Sequence, residues 1–412
     1  MLFSETSRTI ENYLWELSRC TEFYERHGVT RRLYTTAWQK AQSMIFDWMC
    51  EADLDPWIDA VGNVHGRVQG SSDQTILTGS HVDTVVDGGA YDGAYGIIAG
   101  IMALGEIKSR QISLPRSLEV VALCEEEGSR FPMTCWGSRA LLGQVALENL
   151  SLQDADGVSV KEAMRSCGLD PHHIEWAPSC YYTGFIELHV EQALQLESLH
   201  CPIGVVDTIF GQERWNVSIV GESAHAGTSR LANRHDALVA SSEMVLGTYR
   251  LAQQHEEKAI GTVGRLQVHN GTSNCVPGQV NFTVDLRAQS DLLREALASE
   301  LRGLFKDCGR RYGVGIAIDQ YSSANAVPMH LELQNLIQKS AKTHHLDTLL
   351  LDSRAGHDAQ IFGTTIPTAM IFVPSHQGLS HHVNEFTNAE DLMNGEKVLR
   401  DVLERAANAM FS

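Results

Sequence analysis

The sequence predicts an α/β protein with a mostly parallel sheet flanked by helices, into which a smaller α+β unit is inserted. Short β-branched runs alternate with an apolar, helix-like stretch between Val64 and Cys124, which is typical of buried parallel strands joined by helices. Near residue 210 the order of elements changes to βαββαβ. The first pattern returns from Leu331, so we predict that one domain interrupts another.

The first predicted domain comprises residues 1–210 and 327–412. Apolar positions three and four residues apart predict two opening helices, Glu5–Glu25 and Thr35–Ala52. Turn-bounded β-branched runs predict the strands Val64–Val68, Thr75–Ser80 and Ser117–Cys124, and the last two are joined by a helix containing Gly96–Gly105. After the insert we predict a helix from Leu331, a strand over Thr368–Val373 and a final helix over Asn388–Phe411.

The predicted inserted domain comprises residues 211–326, which is long enough for a core of its own. Its βαββαβ order is predicted from six segments in turn: the strand Trp215–Val220, the helix Asp236–His255, the strands Gly261–Val268 and Gln279–Ala288, the helix Asp291–Tyr312 and the strand Gly315–Asp319.

Composition excludes several classes of protein. With 412 residues, 43% of them hydrophobic and 20% charged, the chain is neither disordered nor of low complexity. Its formal net charge of −19 has the wrong sign for binding phosphate backbones or anionic lipid. We find no signal-peptide pattern and no run approaching the ~18 apolar residues of a membrane span, and interpret the protein as cytoplasmic. Nine scattered cysteines without a CxxC pair predict no disulfide framework and no cysteine-based zinc site.

Candidate metal ligands follow the predicted strands. His81 and Asp83 come soon after the run ending at Leu77, and the carboxyl ends of strands bind ligands in α/β sheets. Residues two apart on an extended segment point the same way, so Asp83 can orient the His81 imidazole toward a metal. Asp92 lies in a glycine-rich turn and could bridge two cations with its two oxygens. Each motif alone is also compatible with a hydrogen-bonded turn.

Three consecutive carboxylates, Glu125, Glu126 and Glu127, follow the apolar run Val120–Cys124. At the end of a buried strand such a cluster is costly unless cations neutralise it, although a solvated charge run is the alternative interpretation. Neighbouring extended residues face opposite directions. One glutamate could therefore contact a metal while the next contacts a water.

His189 and His381 complete the candidate ligand set. Imidazoles and carboxylates without thiolates suit zinc or manganese, and oxygen ligands favour manganese. Water between two such ions would be acidic enough to react near neutral pH. The chain contains neither a phosphate-binding glycine motif after a strand nor a GxSxG elbow, which argues against nucleotide chemistry and a serine hydrolase.

The order of these candidates resembles that in the di-metal aminoacylase and carboxypeptidase-like amidohydrolases, over nearly the whole chain. The sequence is most similar to the branch that holds allantoate amidohydrolase and N-carbamoyl-L-amino-acid hydrolase, through the motifs Gly221–Thr228, Asn274–Gly278, Asp285–Arg287 and Ala355–Ala359. Three further segments favour the allantoate side of the branch: Ser80–Val86, Glu127–Pro132 with Trp136–Ser138, and His357–Phe362.

This resemblance implies two divalent metal ions per subunit, zinc or manganese. The ligands would be His81, Asp92 and His189 for one ion, and Asp92, Glu127 and His381 for the other, with Asp92 bridging. Glu126 would act as general base and proton shuttle, and Asp83 would orient His81.

The resemblance also implies a homodimer in which the insert is a dimerisation and lid domain. His225 would contact the substrate and stabilise the oxyanion in the partner subunit's site. A second group would bind the substrate carboxylate, namely Arg214, Asn274 and Arg287. The remaining pocket would be lined by Gln192, Gly356 and His357. Neither nucleic acid nor membrane is expected as a partner.

The implied activity is hydrolysis of the ureido C–N bond of allantoate, giving ureidoglycine, ammonia and carbon dioxide in purine nitrogen catabolism. An N-carbamoyl-L-amino-acid hydrolase is the alternative, and a catalytically silent relative that binds a small anion is a further one, which the presence of Glu126 and Glu127 disfavours. The chain departs from the branch at Ala193, Ala224 with Ser229–Leu231, and Arg354. Because every metal-ligand position is kept, these departures concern substrate identity rather than hydrolysis.

Overall fold

The structure, a computed structural model, describes residues 9–174, 181–255 and 257–409. Its helices are α1 (Ile10–Ser18), α2 (Thr36–Glu51), α3 (Ala94–Ser109), α4 (Trp136–Leu141), α5 (Val160–Ser166), α6 (Gln195–Leu199), α7 (Ala237–Gln253), α8 (Asp291–Tyr312), α9 (Leu331–Thr343), α10 (Asp358–Phe362) and α11 (Ala389–Asn408). Its strands are β1 (Asp55–Ile58), β2 (Val64–Val68), β3 (Ser72–His81), β4 (Arg116–Leu123), β5 (Tyr182–Val190), β6 (Ile203–Ile209), β7 (Gly211–Val220), β8 (Ala224–His225), β9 (Ala259–Thr262), β10 (Leu266–His269), β11 (Cys275–Val276), β12 (Gln279–Ala288), β13 (Gly315–Ala324), β14 (Val327–Pro328), β15 (Thr348–Ser353) and β16 (Thr368–Val373).

The described residues form two compact units. The first unit contains the chain up to Asp207, Pro328–Leu351, and the chain from His357 onward. The second unit contains Thr208–Val327 and the short segment Asp352–Gly356. Each unit has its own hydrophobic core.

The first unit is built on a mixed sheet with the strand order β1-β2-β4-β3-β5-β16-β6-β14, in which β15 also pairs with β6. Its central strands β4, β3, β5 and β16 run parallel, whereas β1, β2 and β6 pair antiparallel at the flanks. This architecture confirms the predicted α/β class. The carboxyl ends of β3, β4 and β5 therefore lie at one edge of the sheet.

Helix α3 packs closely on this sheet because it is apolar on almost all sides and carries small residues at the contact. A Cβ atom at Gly96 would lie only 2.3 Å from the Leu188 carbonyl oxygen of β5, so a larger residue would push the helix away. The close approach fixes the first turn of α3, and with it the loop before that turn, against the strand ends.

The second unit is a sheet of order β10-β12-β7-β13, with β9 also beside β12, and its core includes residues of α7 and α8. Along β7, Trp215, Val217 and Ile219 are buried in that core, and the residues that alternate with them, such as Arg214 and Asn216, face the other side. The single strand predicted over Gly261–Val268 is wrong. Because β9 and β10 pair with different parts of β12, the chain is interrupted between them.

The two terminal helices differ from their predictions in different ways. Helix α11 begins where predicted, after Asn388, whose side chain accepts a hydrogen bond from the Asp391 amide and caps the first turn, but it ends at Asn408 rather than at Phe411. Helix α1 ends earlier than predicted, at Ser18, where the buried Arg31 guanidinium donates to the Leu17 and Cys20 carbonyl oxygens. Residues 5–8 and 410–411 of the predicted helices, and Cys180, lie outside the described residues.

The cysteines that the structure describes are unpaired. In the described ranges, every helix is too short or too polar to cross a lipid bilayer.

A buried ionic cluster surrounds His65 on β2. Its Nδ1 lies 2.9 Å from Glu119 Oε1 and its Nε2 lies 3.5 Å from Asp59 Oδ2. The ring stacks on Trp57 with centroids 4.8 Å apart, and the Tyr182 hydroxyl donates to Glu119. Burial alone would lower the pKa of His65, but the hydrogen bonds and charges of Asp59 and Glu119 outweigh it and raise the pKa to about 9.

Replacing His65 with glutamine should therefore change how stability depends on pH. Because the folded-state pKa of about 9 exceeds the ordinary value, the stabilisation by protonated His65 is fully present below about pH 6.5 and is lost as the pH rises through about 9. In urea unfolding, we expect His65→Gln to lower the free energy of unfolding by roughly 3 kcal/mol at pH 6 and by much less at pH 9.5. The matched control His27→Gln alters an exposed histidine and should change little at either pH. An equal loss for His65→Gln at both pH values would contradict this assignment.

Candidate dinuclear metal centre

Polar side chains converge where the parallel strands of the first unit end. His81 is the last residue of β3, His189 lies one residue before the end of β5, and the three glutamates follow β4. Asp92 immediately precedes the first turn of α3, and His381 lies in the loop between β16 and α11. The parallel direction of the strands is what brings these distant parts of the sequence to one edge.

The Asp92 carboxylate lies at the centre of this group. Its Oδ1 is 3.2 Å from His81 Nε2 and 2.9 Å from His189 Nε2, and its Oδ2 is 3.4 Å from His381 Nε2. His381 Nε2 also lies 3.0 Å from Glu127 Oε1. Burial alone would raise the pKa of Asp92, but the facing imidazoles hold it well below its usual range.

These side chains form two three-residue groups that share Asp92. One is His81, Asp92 and His189, and the other is Asp92, Glu127 and His381. Within each group the potential ligand atoms lie within 4.8 Å of one another, so each group could hold a metal ion. Glu126 forms a third such group with His81 and Glu127.

The tautomers of the two buried histidines fit a metal site. His81 Nδ1 lies 3.0 Å from the Asp83 carbonyl oxygen, and His189 Nδ1 lies 2.9 Å from the Val190 carbonyl oxygen. These contacts require a proton on each Nδ1, so the Nε2 atom that faces the Asp92 carboxylate can hold either a second proton or a metal ion. A proton on Nε2 donates a hydrogen bond to Asp92, and in place of that proton the combination of imidazole with carboxylate suits zinc or manganese.

Asp92 is held by residues that sequence reasoning missed. Glu385 is buried, and its Oε2 accepts hydrogen bonds from the backbone amides of Tyr91 (2.8 Å) and Asp92 (3.0 Å). The Ser380 hydroxyl donates to Asp92 Oδ2 at 2.8 Å. At Gly93, where φ is +64°, a Cβ atom would lie 2.4 Å from the His81 carbonyl oxygen, so only glycine allows this approach.

Asp83 contacts His81 through its backbone as well as its side chain. Its carbonyl oxygen is the closest contact of His81 Nδ1, whereas its carboxylate is 3.8 Å from that atom. The carboxylate instead accepts the backbone amides of Glu126 (3.0 Å) and Glu127 (3.1 Å). Asp83 therefore connects the end of β3 to the glutamate loop after β4.

The three consecutive glutamates point to different surroundings. Glu125 is buried, adopts a left-handed φ of 53°, and accepts the backbone amides of Arg130 and Phe131. This turn directs Glu126 and Glu127 to the metal groups. Desolvation raises the pKa of Glu126 well above its usual range, and the nearby charge of Glu127 adds to this effect.

Two of the predicted pocket residues of the first unit lie beside these ligands. Gln192 Nε2 donates to Asp92 Oδ2 and to Ser380 Oγ, both at 2.9 Å. Its Oε1 has no protein partner in the part of the chain that the structure describes. The His357 ring is buried at 4.8 Å from the His189 ring centroid, and burial lowers its pKa well below the usual value.

In the second unit, two other predicted residues are neighbours. His225 on β8 pairs with Cys275 on β11, and the Ala226 amide donates to the Asn274 carbonyl oxygen at 2.9 Å. His225 is exposed, and its Nδ1 accepts the backbone amides of Gly227 and Thr228, both at 3.2 Å. In the neutral ring the proton therefore lies on Nε2, which is free to donate.

The two predicted carboxylate-binding arginines of this unit share an internal partner. Arg214 Nε lies 3.0 Å from Asp285 Oδ2, and Arg287 contacts both oxygens of Asp285 at 2.9 Å and 3.1 Å. All three residues line one cavity of about 390 Å³. Gly356 belongs to the short segment of this unit that contains Arg354.

Comparison with known proteins agrees with this geometry. Residues 77–405 match the model of peptidase family M20/M25/M40. The allantoate amidohydrolase of Bacillus subtilis is 37% identical over 383 residues, which cover 92% of this chain and 93% of that protein. The N-carbamoyl-L-amino-acid amidohydrolase of Paenarthrobacter aurescens is 34% identical over 400 residues, covering 96% and 97%.

Solved structures give the same result. A hydantoinase/carbamoylase family amidase from Burkholderia multivorans has a TM-score of 0.89 at 30% identity, with 98% of both chains covered. A dinuclear metal-binding M20 peptidase from Bacillus subtilis shares the fold with a TM-score of 0.66 at 12% identity. The family resemblance and the enzyme class expected from the sequence, a metal-dependent amidohydrolase, are thus confirmed. The chain belongs to peptidase family M20/M25/M40.

Proposed function

We propose that this protein hydrolyses the ureido C–N bond of allantoate, and that the residues around Asp92 carry the reaction. In this reaction one water is consumed, the ureido group leaves as carbon dioxide and ammonia, and the amine of ureidoglycine remains. The main support is the pair of metal-ligand groups that share Asp92, with Glu126 held beside them by Asp83. Relatives named for this reaction and for N-carbamoyl amino acid hydrolysis both resemble the chain, so the latter is the alternative substrate class.

The proposed metal ligands are the two groups already described, with Asp92 common to both. Two divalent ions held there, zinc or manganese, would polarise the ureido carbonyl and lower the pKa of water. Glu126 would accept a proton from the attacking water and deliver it to the leaving nitrogen. Asp83 would keep Glu126 and Glu127 in position through the backbone amides that it accepts.

The proposed substrate contacts are the carboxylate-binding and pocket residues predicted from the sequence. Arg214, Arg287 and Asn274 would bind the substrate carboxylate, since guanidinium donors match its two oxygens. The unpartnered Oε1 of Gln192 is suited to accept a ureido N–H. Gly356 and His357 would line the rest of the pocket.

We further propose a cytoplasmic homodimer in which His225 donates to the oxyanion in the partner subunit's site. Exposure of His225 and the proton on its Nε2 suit this role. Helix α7 carries exposed apolar residues at helical spacing, Val239, Leu246 and Tyr249, which is typical of a helix that packs against another protein. The unpaired cysteines are compatible with a reducing compartment.

Metal content provides the first test. Asp92→Ala removes a ligand common to both groups, so we expect loss of both ions, whereas His381→Ala removes a ligand of one group and should leave about one ion per subunit. Plasma mass spectrometry of the purified proteins gives the stoichiometry. The control His382→Ala alters an exposed neighbouring histidine outside both groups and should keep two ions. Equal metal content in all three variants would contradict the ligand assignment.

Substrate preference tests the reaction itself. The chelated protein is reloaded with zinc or manganese, and ammonia release is measured with allantoate and with N-carbamoyl-L-amino acids. We expect kcat/KM to favour allantoate, and a preference of about tenfold or more for the N-carbamoyl amino acids would overturn the substrate assignment.

The variant Glu126→Gln tests the general base. A glutamine side chain cannot accept the proton, so this variant should lower the rate by about 10³-fold while keeping its metal content, and an unchanged rate would remove Glu126 from the mechanism.

Subunit mixing tests the role of His225. His225→Ala and Glu126→Gln should each be inactive alone, because each lacks a group that every site requires. If His225 acts in the partner's site, a hybrid dimer of the two variants contains one intact site. Co-expression of the two chains should then restore about a quarter of wild-type activity. No recovery in isolated hybrid dimers would show that His225 does not act across the interface.

A further inference from the structure

A third arginine lines the cavity beside the paired arginines of the second unit. Arg214, Arg287 and Arg354 line this cavity of about 390 Å³, and Asp285 is the carboxylate among its described lining residues. The formal excess is therefore two positive charges, in a chain whose net charge is −19. Such a cavity favours an anionic ligand.

The three arginines are not equivalent, because Asp285 pairs with two of them. Arg214 and Arg287 both donate to its carboxylate. Arg287 Nη1 also donates to the backbone carbonyl oxygen of Arg354 at 2.6 Å, which fixes the Arg354 segment against the sheet. Within the described residues, Arg354 forms no ion pair with a carboxylate.

The Arg354 side chain keeps donors available. Its guanidinium lies 5.7 Å from the Phe210 ring centroid, and one Nη2 contact to the Glu257 carbonyl oxygen is 3.2 Å long. Its Nε is buried and has no hydrogen-bond partner in the described part of the chain. An unpartnered buried donor is costly, so a ligand that accepts a hydrogen bond here would gain affinity.

Arg354 also lines a second cavity of about 500 Å³. The two cavities share Ile260, Thr262 and Arg354, and the second is otherwise lined largely by apolar groups, including Val245 and Tyr249. Arg354 therefore borders both a charged cavity and an apolar one.

We propose that Arg354 determines specificity, by selecting ureido acids that carry a second acceptor group over those with an apolar side chain. The second group would be a ureido carbonyl, as in allantoate, or a second carboxylate. Arg214 and Arg287 would bind the first carboxylate, and Arg354 would donate to the second group. An apolar side chain would leave the Arg354 donors without a partner. This inference rests on the proposed function for the identity of the substrate.

Kinetics with matched variants test the proposal. The metal-loaded enzyme is assayed with allantoate, N-carbamoyl-L-aspartate and N-carbamoyl-L-leucine. We expect Arg354→Gln to lower kcat/KM for the first two about tenfold relative to the leucine substrate, mainly through KM, because one charge-assisted hydrogen bond is lost. Arg354→Lys keeps the charge and should retain part of the preference. Arg265→Gln, an exposed arginine outside both cavities, should leave all three values unchanged.

Direct binding separates this proposal from the proposed reaction. Calorimetry measures the affinity of the same metal-loaded proteins for succinate, which has two carboxylates, and for butyrate, which has one. Circular dichroism establishes that each variant is folded. Wild type should prefer succinate, and Arg354→Gln should lose most of that preference. If the substrate ratios and the succinate preference are the same in wild type and Arg354→Gln, the role of Arg354 is overturned. If wild type hydrolyses none of the substrates, the proposed function fails, while the succinate comparison still decides whether Arg354 selects a second acceptor.

Discussion

The contact of one buried carboxylate, Asp92, with three imidazoles is the constraint on which the rest of this structure depends. It joins His81 at the end of β3, His189 on β5 and His381 before α11, three segments that are far apart in the sequence. The carboxylate cannot rotate away, because the backbone amide of Asp92 is held by Glu385 and its Oδ2 accepts the Ser380 hydroxyl. A buried carboxylate fixed among imidazoles needs either protons on the facing nitrogens or a metal cation between them, so metal binding and the protonation of this cluster are coupled.

Much of the fold is predictable because it is encoded locally. Helix α8 has the predicted bounds, since Ser290 caps its first turn and Gly313 ends it in a left-handed conformation. Strand β12 also has its predicted bounds, because its apolar residues alternate without interruption. The errors arise where distant partners decide the outcome. Arg31 ends α1, and pairing with two parts of β12 divides the strand predicted after α7.

In the candidate site, too, local features are predictable from the sequence, whereas contacts between distant residues are not. Ligand types and their position after the strands are visible in the sequence, because parallel strands end at one edge of a sheet. The residues that hold those ligands are not visible. Glu385 contacts the Asp92 amide across 293 positions of the chain, and no local pattern distinguishes it from an ordinary surface glutamate. The sequence also predicts that Asp83 lies beside His81, but only the structure reveals that its carboxylate accepts the amides of the glutamate loop.

The ion pairs of Asp285 with Arg214 and Arg287 affect how these two arginines can bind an anion. Burial alone would raise the pKa of Asp285, but Arg287 and Arg214 hold it below its ordinary value, so it remains a carboxylate. Its charge reduces repulsion between two neighbouring guanidinium groups and fixes their orientation before a ligand arrives. Each guanidinium group offers more donors than Asp285 uses, so a second carboxylate can still bind without rearranging them. Affinity for an anion would then come from groups that are already ordered, which lowers the entropic cost of binding.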